Sequence, residues 1–249
     1  GQMTNLEVND IYWPDHEMNF DRKIIPPLPL QRVTKDWGAR DSNWFFDFPT
    51  SAETMINFLE SSKIYKENGI TFDGAIAINT DILETILKLV GPIRAEEYDL
   101  VIDHYNFLAE LQREVEAGQD KEPGKNPKRI LSVITPELME RLGSLPEEFR
   151  PLLIEKIGNH IKEKDIMFYM KNQGLASFLE KEGIDGGVWK APHNFWGGYL
   201  AVVNANIAGG KSDAFIKENI GGRVDVNTDG GTFTNIVISR AHTGDKENL

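Results

Sequence analysis

The chain has 249 residues, 27 Lys and Arg against 39 Asp and Glu, and a formal charge of -12. With 40% apolar and 27% charged residues it has the composition of a globular protein large enough for its own core. That charge argues against a nucleic-acid binder, which gains affinity by neutralising phosphates. The absence of cysteine excludes disulfides, zinc-thiolate sites, iron-sulfur clusters and a Cys nucleophile. No run approaches the 18 apolar residues of a membrane span.

Residues 1–50 read as an irregular arm. They hold Trp13, Trp37 and Trp44 and the block Ile25-Pro26-Pro27-Leu28-Pro29-Leu30, whose prolines disfavour regular helix and central strand. A helix is then predicted from a Thr50/Glu53 capping box, with Ala52, Met55, Ile56 and Leu59 at helical spacing. Residues 72–78 form a small-residue apolar run, predicted as an interior strand. Thr80 is predicted to cap a second helix carrying Ile82, Leu83, Ile86, Leu87 and Val90, stopped by Gly91-Pro92.

A third helix is expected over 104–117, followed by an exposed, mobile loop over 118–128. Helices near 135–142 and 147–163, a strand at 166–170 and a short helix ending before Gly183 come next. The last third turns to sheet. Residues 199–203 are predicted as an interior strand. Residues 224–226 and 233–239 are predicted as a hairpin about Thr228-Asp229-Gly230-Gly231, the second strand lying centrally in a sheet. Together these elements predict a single α/β domain over 1–249, with a central mixed sheet flanked by helices.

The densest polar constellation runs from Arg40 to Ser51. Arg40 has the fork that grips phosphate, Asp41 and Asp47 are candidate divalent-cation ligands or acid and base, and Asn43 and Trp44 are candidate binding residues. The bland alternative is an Arg40–Asp41 ion pair tying down the arm, with Asp47 bonding backbone amides. A second candidate lies at Asn204, Asn206, Lys211 and Asp213. Gly210-Lys211-Ser212 resembles the end of a phosphate loop, but Ala205 stands where that pattern needs Gly. The pattern therefore gives no nucleotide site; a tight turn before a helix capped by Ser212 or Asp213 is the better explanation, ahead of a looser anion or sugar site with Lys211 as point charge and Asn204 and Asn206 as hydrogen-bond formers.

The five histidines show no i, i+4 pair and no compact ligand cluster along the sequence. Glycines flanking Trp189 and Trp196 suggest either an aromatic-lined surface for sugars or ordinary loop packing.

The ordered succession Asp41-Ser42-Asn43-Trp44-Phe45-Phe46-Asp47-Phe48-Pro49-Thr50-Ser51-Ala52, Phe72-Asp73-Gly74-Ala75-Ile76-Ala77-Ile78-Asn79, Val90-Gly91-Pro92, Asn204-Ala205-Asn206 and Lys211-Ser212-Asp213 resembles the prokaryotic family catalogued as domain of unknown function 4012. The resemblance spans roughly residues 35 to 243. Phe46 departs from the Pro usual there, and the family's upstream Gly-Gly-Phe segment does not occur here. It implies an extracytoplasmic, cell-envelope domain, membrane-anchored at the surface through a segment outside these residues. The opening Gly1-Gln2-Met3 fits an ectodomain fragment of that kind.

The family name supplies no reaction. The first functional expectation is a domain binding an envelope glycan or surface protein, without a cofactor, in a groove beside residues 40–50 or near Trp189 and Trp196. The alternative is a Mg²⁺-dependent phosphotransferase or hydrolase acting on a polyprenyl-pyrophosphate-linked substrate, by distant analogy with the LytR-CpsA-Psr enzymes. It requires Arg40, Asp47, Lys211 and Asp213 to meet around one cleft, with Arg40 and Lys211 neutralising the phosphoryl centre and the cation on Asp41 or Asp47.

Overall fold

The computed structural model describes residues 6–11, 24–118, 128–195, 197–207 and 215–244. The chain divides into two compact units, one of residues 1–24 and 36–196, the other of residues 25–35 and 197–249.

In the first unit, residues 36–47 form the expected irregular path, broken only by a 3-10 turn at Ala39–Asp41. Trp37 anchors it. Its ring packs edge-on against Phe58 and Phe45, and its indole N–H donates to the Asp41 carbonyl at 3.0 Å. Trp13 lies outside the described residues.

Helix α1, Phe48–Ser61, starts earlier than the capping box predicts. Asp47 is its N-cap, and Pro49 sits in the first turn, where a missing N–H costs nothing. Phe48, Ala52, Ile56 and Phe58 are its buried apolar residues. After the short α2, Lys63–Glu67, strand β1, Gly74–Ile78, pairs antiparallel with β4, Ile166–Met170, in the register Gly74↔Met170. A Cβ at Gly74 would lie 2.2 Å from the Tyr169 carbonyl oxygen, so only glycine fits this close crossing. The strand is where it was expected but is not interior. Among the described residues its sheet has two strands, and Ile76 and Ile78 are more than half exposed.

The densest core lies beyond. Helix α3, Thr80–Val90, is capped by Asn79 rather than Thr80, the Asn79 side chain accepting from the Thr80 N–H. Strands β2, Ile93–Ala95, and β3, Leu100–Ile102, form a tight antiparallel pair, followed by helices α4, Phe107–Ala117, and α5, Arg129–Gly143. Leu87, Ile93, Ile102, Phe107, Ile130 and Ile134 close on one another here, Ile102 and Ile130 with no exposed surface. Helix α5 begins six residues before the expected start because it runs through Pro136, losing one ladder bond to the Ser132 carbonyl. Arg141 donates to the carbonyls of Val90 and Pro92, tying α5 to the end of α3.

Helix α6, Arg150–Lys162, leads back into β4, and α7, Gln173–Lys181, is capped by Asn172. In the second unit, β5, Ile216–Val226, and β6, Thr232–His242, form the predicted hairpin, longer than expected. Strand β6 is not central: it pairs with β5 alone among the described residues. Residues 199–203 form no strand, and Tyr199, Leu200 and Val203 remain more than half exposed. An apolar run becomes a strand only where a neighbour completes its hydrogen bonds.

The fold is therefore mixed α/β, with helices flanking short antiparallel sheets. Among the described residues its strands are divided among three two-stranded ladders rather than gathered into one sheet. The 118–128 loop lies largely outside the described residues. No helix among the described residues is long and apolar enough to cross a membrane.

Candidate binding cleft

An open cleft of about 950 Å³ lies in the first unit, between the start of α1, strand β4, helix α7 and the segment after Gly183. Backbone bonds build it. The segment returns along β4, where the Phe168 N–H donates to the Ile184 carbonyl at 3.2 Å, and crosses α1, where the Phe48 N–H donates to the Gly186 carbonyl at 3.2 Å. Gly186 makes the turn at φ +68°, a backbone state glycine adopts without strain.

Asp47 joins the two walls. One carboxylate oxygen accepts from the Thr50 N–H at 3.1 Å and the Thr50 hydroxyl at 2.5 Å, and the other accepts from the Val188 N–H at 2.9 Å. Burial raises the Asp47 pKa, but the Thr50 hydroxyl, the Val188 and Thr50 N–H groups and the Lys190 charge together hold it below the ordinary carboxylate value.

Phe168, Met170 and Leu179 supply apolar lining, while Gln173, Ser177 and Asp185 add hydrogen-bonding groups. Burial and the Glu53 charge push the Tyr169 phenol up. Trp189 stands at the edge of the cleft, 47% exposed, with Phe195 packed edge-on at 4.8 Å. Beside it Lys190 pairs with Glu180 at 3.1 Å, and that contact raises the lysine's pKa.

Of the residues singled out in the sequence, Asp47 lines this cleft and Arg40, Asp41, Asn43 and Trp44 do not. Arg40 and Asp41 form a partly exposed ion pair at 3.1 Å, Asn43 is exposed and Trp44 half-buried. Asn204 and Asn206 belong to the other unit. Asn204 donates to Glu218 at 2.9 Å and accepts from Arg240, which also pairs with Glu218. These contacts, Asn204 first, lower the Glu218 pKa. Lys211, Asp213 and Trp196 lie outside the described residues.

Two features escaped the sequence reading. The wall made by β4 and α7 carries no motif, since Tyr169, Gln173 and Ser177 acquire meaning only when those elements face α1. The second is a compact ligand cluster, which sequence spacing appeared to exclude. His160, Glu163 and Asp165 have donor atoms within 4.8 Å of one another. The signal was the spacing His-x-x-Glu-x-Asp at a helix end, which a search for i, i+4 histidine pairs passes over.

The fold and site define a mixed α/β domain with an open, aromatic-edged cleft. A family model described as Protein of unknown function (DUF4012) matches residues 17–115. That stretch holds α1, β1 and α3, and so the Asp47 side of the cleft, but neither β4, α7 nor Trp189. No curated protein and no solved structure matched the chain.

Proposed function

We propose that this is an extracytoplasmic, cell-envelope-associated recognition domain whose cleft binds a glycan. The observation that carries the reading is the half-exposed Trp189 ring at the edge of a 950 Å³ cleft with hydrogen-bonding walls. A sugar has apolar C–H faces that lie against an aromatic ring and hydroxyls that need nearby donors and acceptors. Gln173, Ser177, Tyr169 and Asp185, which line the same cleft, provide both kinds of partner. The envelope setting rests on the family resemblance.

Binding is favoured over Mg²⁺-dependent phosphoryl transfer by the state of the two aspartates. Both Asp47 oxygens accept protein hydrogen bonds, and Asp41 pairs with Arg40. Asp47 thereby serves to cap α1 and to hold the segment at Val188, and Asp41 to hold Arg40, roles that need no cation.

The test is a glycan array followed by calorimetry on hits, using the wild type, Trp189→Ala and Phe46→Ala. Phe46 is 52% exposed and lies outside the cleft lining, so it controls for general loss of an aromatic. Saccharide binding lost in Trp189→Ala and kept in Phe46→Ala is expected. A blank array, or binding indifferent to Trp189, would overturn the reading. Mg²⁺-dependent turnover of a polyprenyl pyrophosphate, lost in Arg40→Ala and Asp47→Asn, would establish the enzymatic alternative instead.

A further inference from the structure

We propose that His160, Asp165 and Glu163 form a binding site for a divalent metal of the zinc type. The site is local in sequence and shaped by the end of α6. His160 lies in the last turn and Glu163 is the C-cap. Lys164 adopts φ +68°, and two bonds close the turn behind it. The Lys164 N–H donates to the Ile161 carbonyl at 3.2 Å and the Asp165 N–H to the His160 carbonyl at 2.9 Å. The reversal puts the Asp165 carboxylate 2.7 Å from His160 Nδ1.

Ligands arranged tetrahedrally around a zinc-sized ion lie roughly 3.3 Å apart. The imidazole and carboxylate need to part only slightly to admit one. Glu163, exposed on the same rim, completes a three-ligand set and leaves a coordination position for water.

Support from outside the loop distinguishes this cluster from an ordinary surface group of charges. The far imidazole nitrogen, Nε2, lies 2.8 Å from the Thr85 hydroxyl on α3. The second Asp165 oxygen accepts from the Asn79 amide at 3.1 Å, and the Asn79 N–H donates to the Asp165 carbonyl at 2.7 Å. A metal-bound histidine characteristically offers its other nitrogen to an orienting partner, and its carboxylate neighbour is itself hydrogen-bonded. Both partners are present, and both come from a different helix and its cap. The His160 and Asp165 side chains are only 13% and 17% exposed, so the pair is held in place. The C-terminal end of α6 adds partial negative charge that favours a cation. An imidazole with two carboxylates suits zinc, nickel or copper, whereas magnesium prefers oxygen ligands alone.

The experiment is calorimetric titration of the untagged protein with Zn²⁺ and Mg²⁺, with the visible absorption of Co²⁺ as a second readout. One Zn²⁺ per chain is expected, with a Co²⁺ spectrum of low coordination number and Mg²⁺ binding far weaker. His160→Ala and Asp165→Asn should abolish the site, and Thr85→Val should weaken it by about tenfold.

Because the first two variants also break the His160–Asp165 bond, Glu163→Gln is the deciding one. It leaves that bond intact and should leave metal-free melting unchanged while weakening Zn²⁺ by about tenfold or more. No Zn²⁺ binding, or Zn²⁺ affinity and a Co²⁺ spectrum untouched by Glu163→Gln, would overturn the site. Equal affinity for Mg²⁺ would overturn the assigned metal class.

Discussion

Asp47 and Val188 stand 141 residues apart, and a carboxylate oxygen of the first accepts the backbone N–H of the second at 2.9 Å. The same carboxylate caps α1 through Thr50. One side chain thus starts a helix and fastens the opposite wall of the cleft to it. Asp47→Ala should cost about 0.5–2 kcal/mol, the usual range for loss of an N-cap. Limited proteolysis should then cut first within 184–190. A melting temperature equal to wild type would refute this double role.

The same residue predicts an acid response. Its folded pKa is lowered, so its stabilisation is complete above the unfolded carboxylate value of about 3.9 and is lost as pH falls through the folded value. Asp47→Asn keeps a capping oxygen but carries no charge. The stability gap between wild type and Asp47→Asn should be constant from neutrality to about pH 5 and close below about pH 4. Denaturant melts across that range measure it. A gap that widens on acidification has the wrong sign.

Gly186→Ala should destabilise the cleft wall. A Cβ there would lie 2.3 Å from the Met167 sulfur and 3.0 Å from the Phe48 Cβ, at a φ that alanine tolerates poorly. Overpacking of this kind costs about 1–3 kcal/mol. Removing Met167 as well relieves the crowding but not the φ. The Gly186→Ala/Met167→Ala pair should therefore lose less than the two single losses combined. Strict additivity would show that Met167 is not what the methyl group meets.

What the sequence disclosed follows from how local each feature is. Helices α1, α3 and α7 and the β5–β6 hairpin carry their own period, cap or turn, and they lie near where they were read. Strands β2 and β3 are three residues each, too short for alternation to register. The 199–203 run has strand composition but finds no ladder partner, a matter of tertiary structure rather than propensity. The site divides the same way. Asp47 and Trp189 were conspicuous as a carboxylate in the Arg40–Ser51 constellation and a Gly-flanked aromatic, although the helix cap was read at Thr50 rather than Asp47. The pairing of His160 with Asp165 depends on Lys164 adopting a positive φ, which nothing in Glu-Lys-Asp announces.

Ile102→Ala tests where the core lies. Ile102 has no exposed surface and packs among Leu87, Ile93 and Phe107. Loss of its side chain should cost about 2–5 kcal/mol. Its neighbour Val101, on the other face of β3 and 49% exposed, should tolerate alanine within about 0.5 kcal/mol. Comparable losses at the two positions would mean that the face assignment of β3 is wrong.

The hairpin turn offers the last test, because there backbone strain separates cleanly from crowding. Gly230 sits at φ +84°, and a Cβ built on it meets nothing within 4 Å. A substitution there is penalised by its conformation alone. Valine, branched at Cβ, should cost about 1–3 kcal/mol in this region, whereas asparagine enters it readily. The flanking ladder is poorly placed to absorb the loss. Nearly every residue of β5 and β6 is exposed, and a two-stranded ribbon with little buried surface is marginal in water. Gly230→Val should therefore speed amide hydrogen exchange in the ladder nearest the turn, around Val224, Val226, Thr232 and Thr234. Gly230→Asn should leave exchange close to wild type. Unchanged protection in Gly230→Val would show that the turn does not hold the ribbon together. Equal loss in both variants would show that something other than the sign of φ makes glycine necessary at this position.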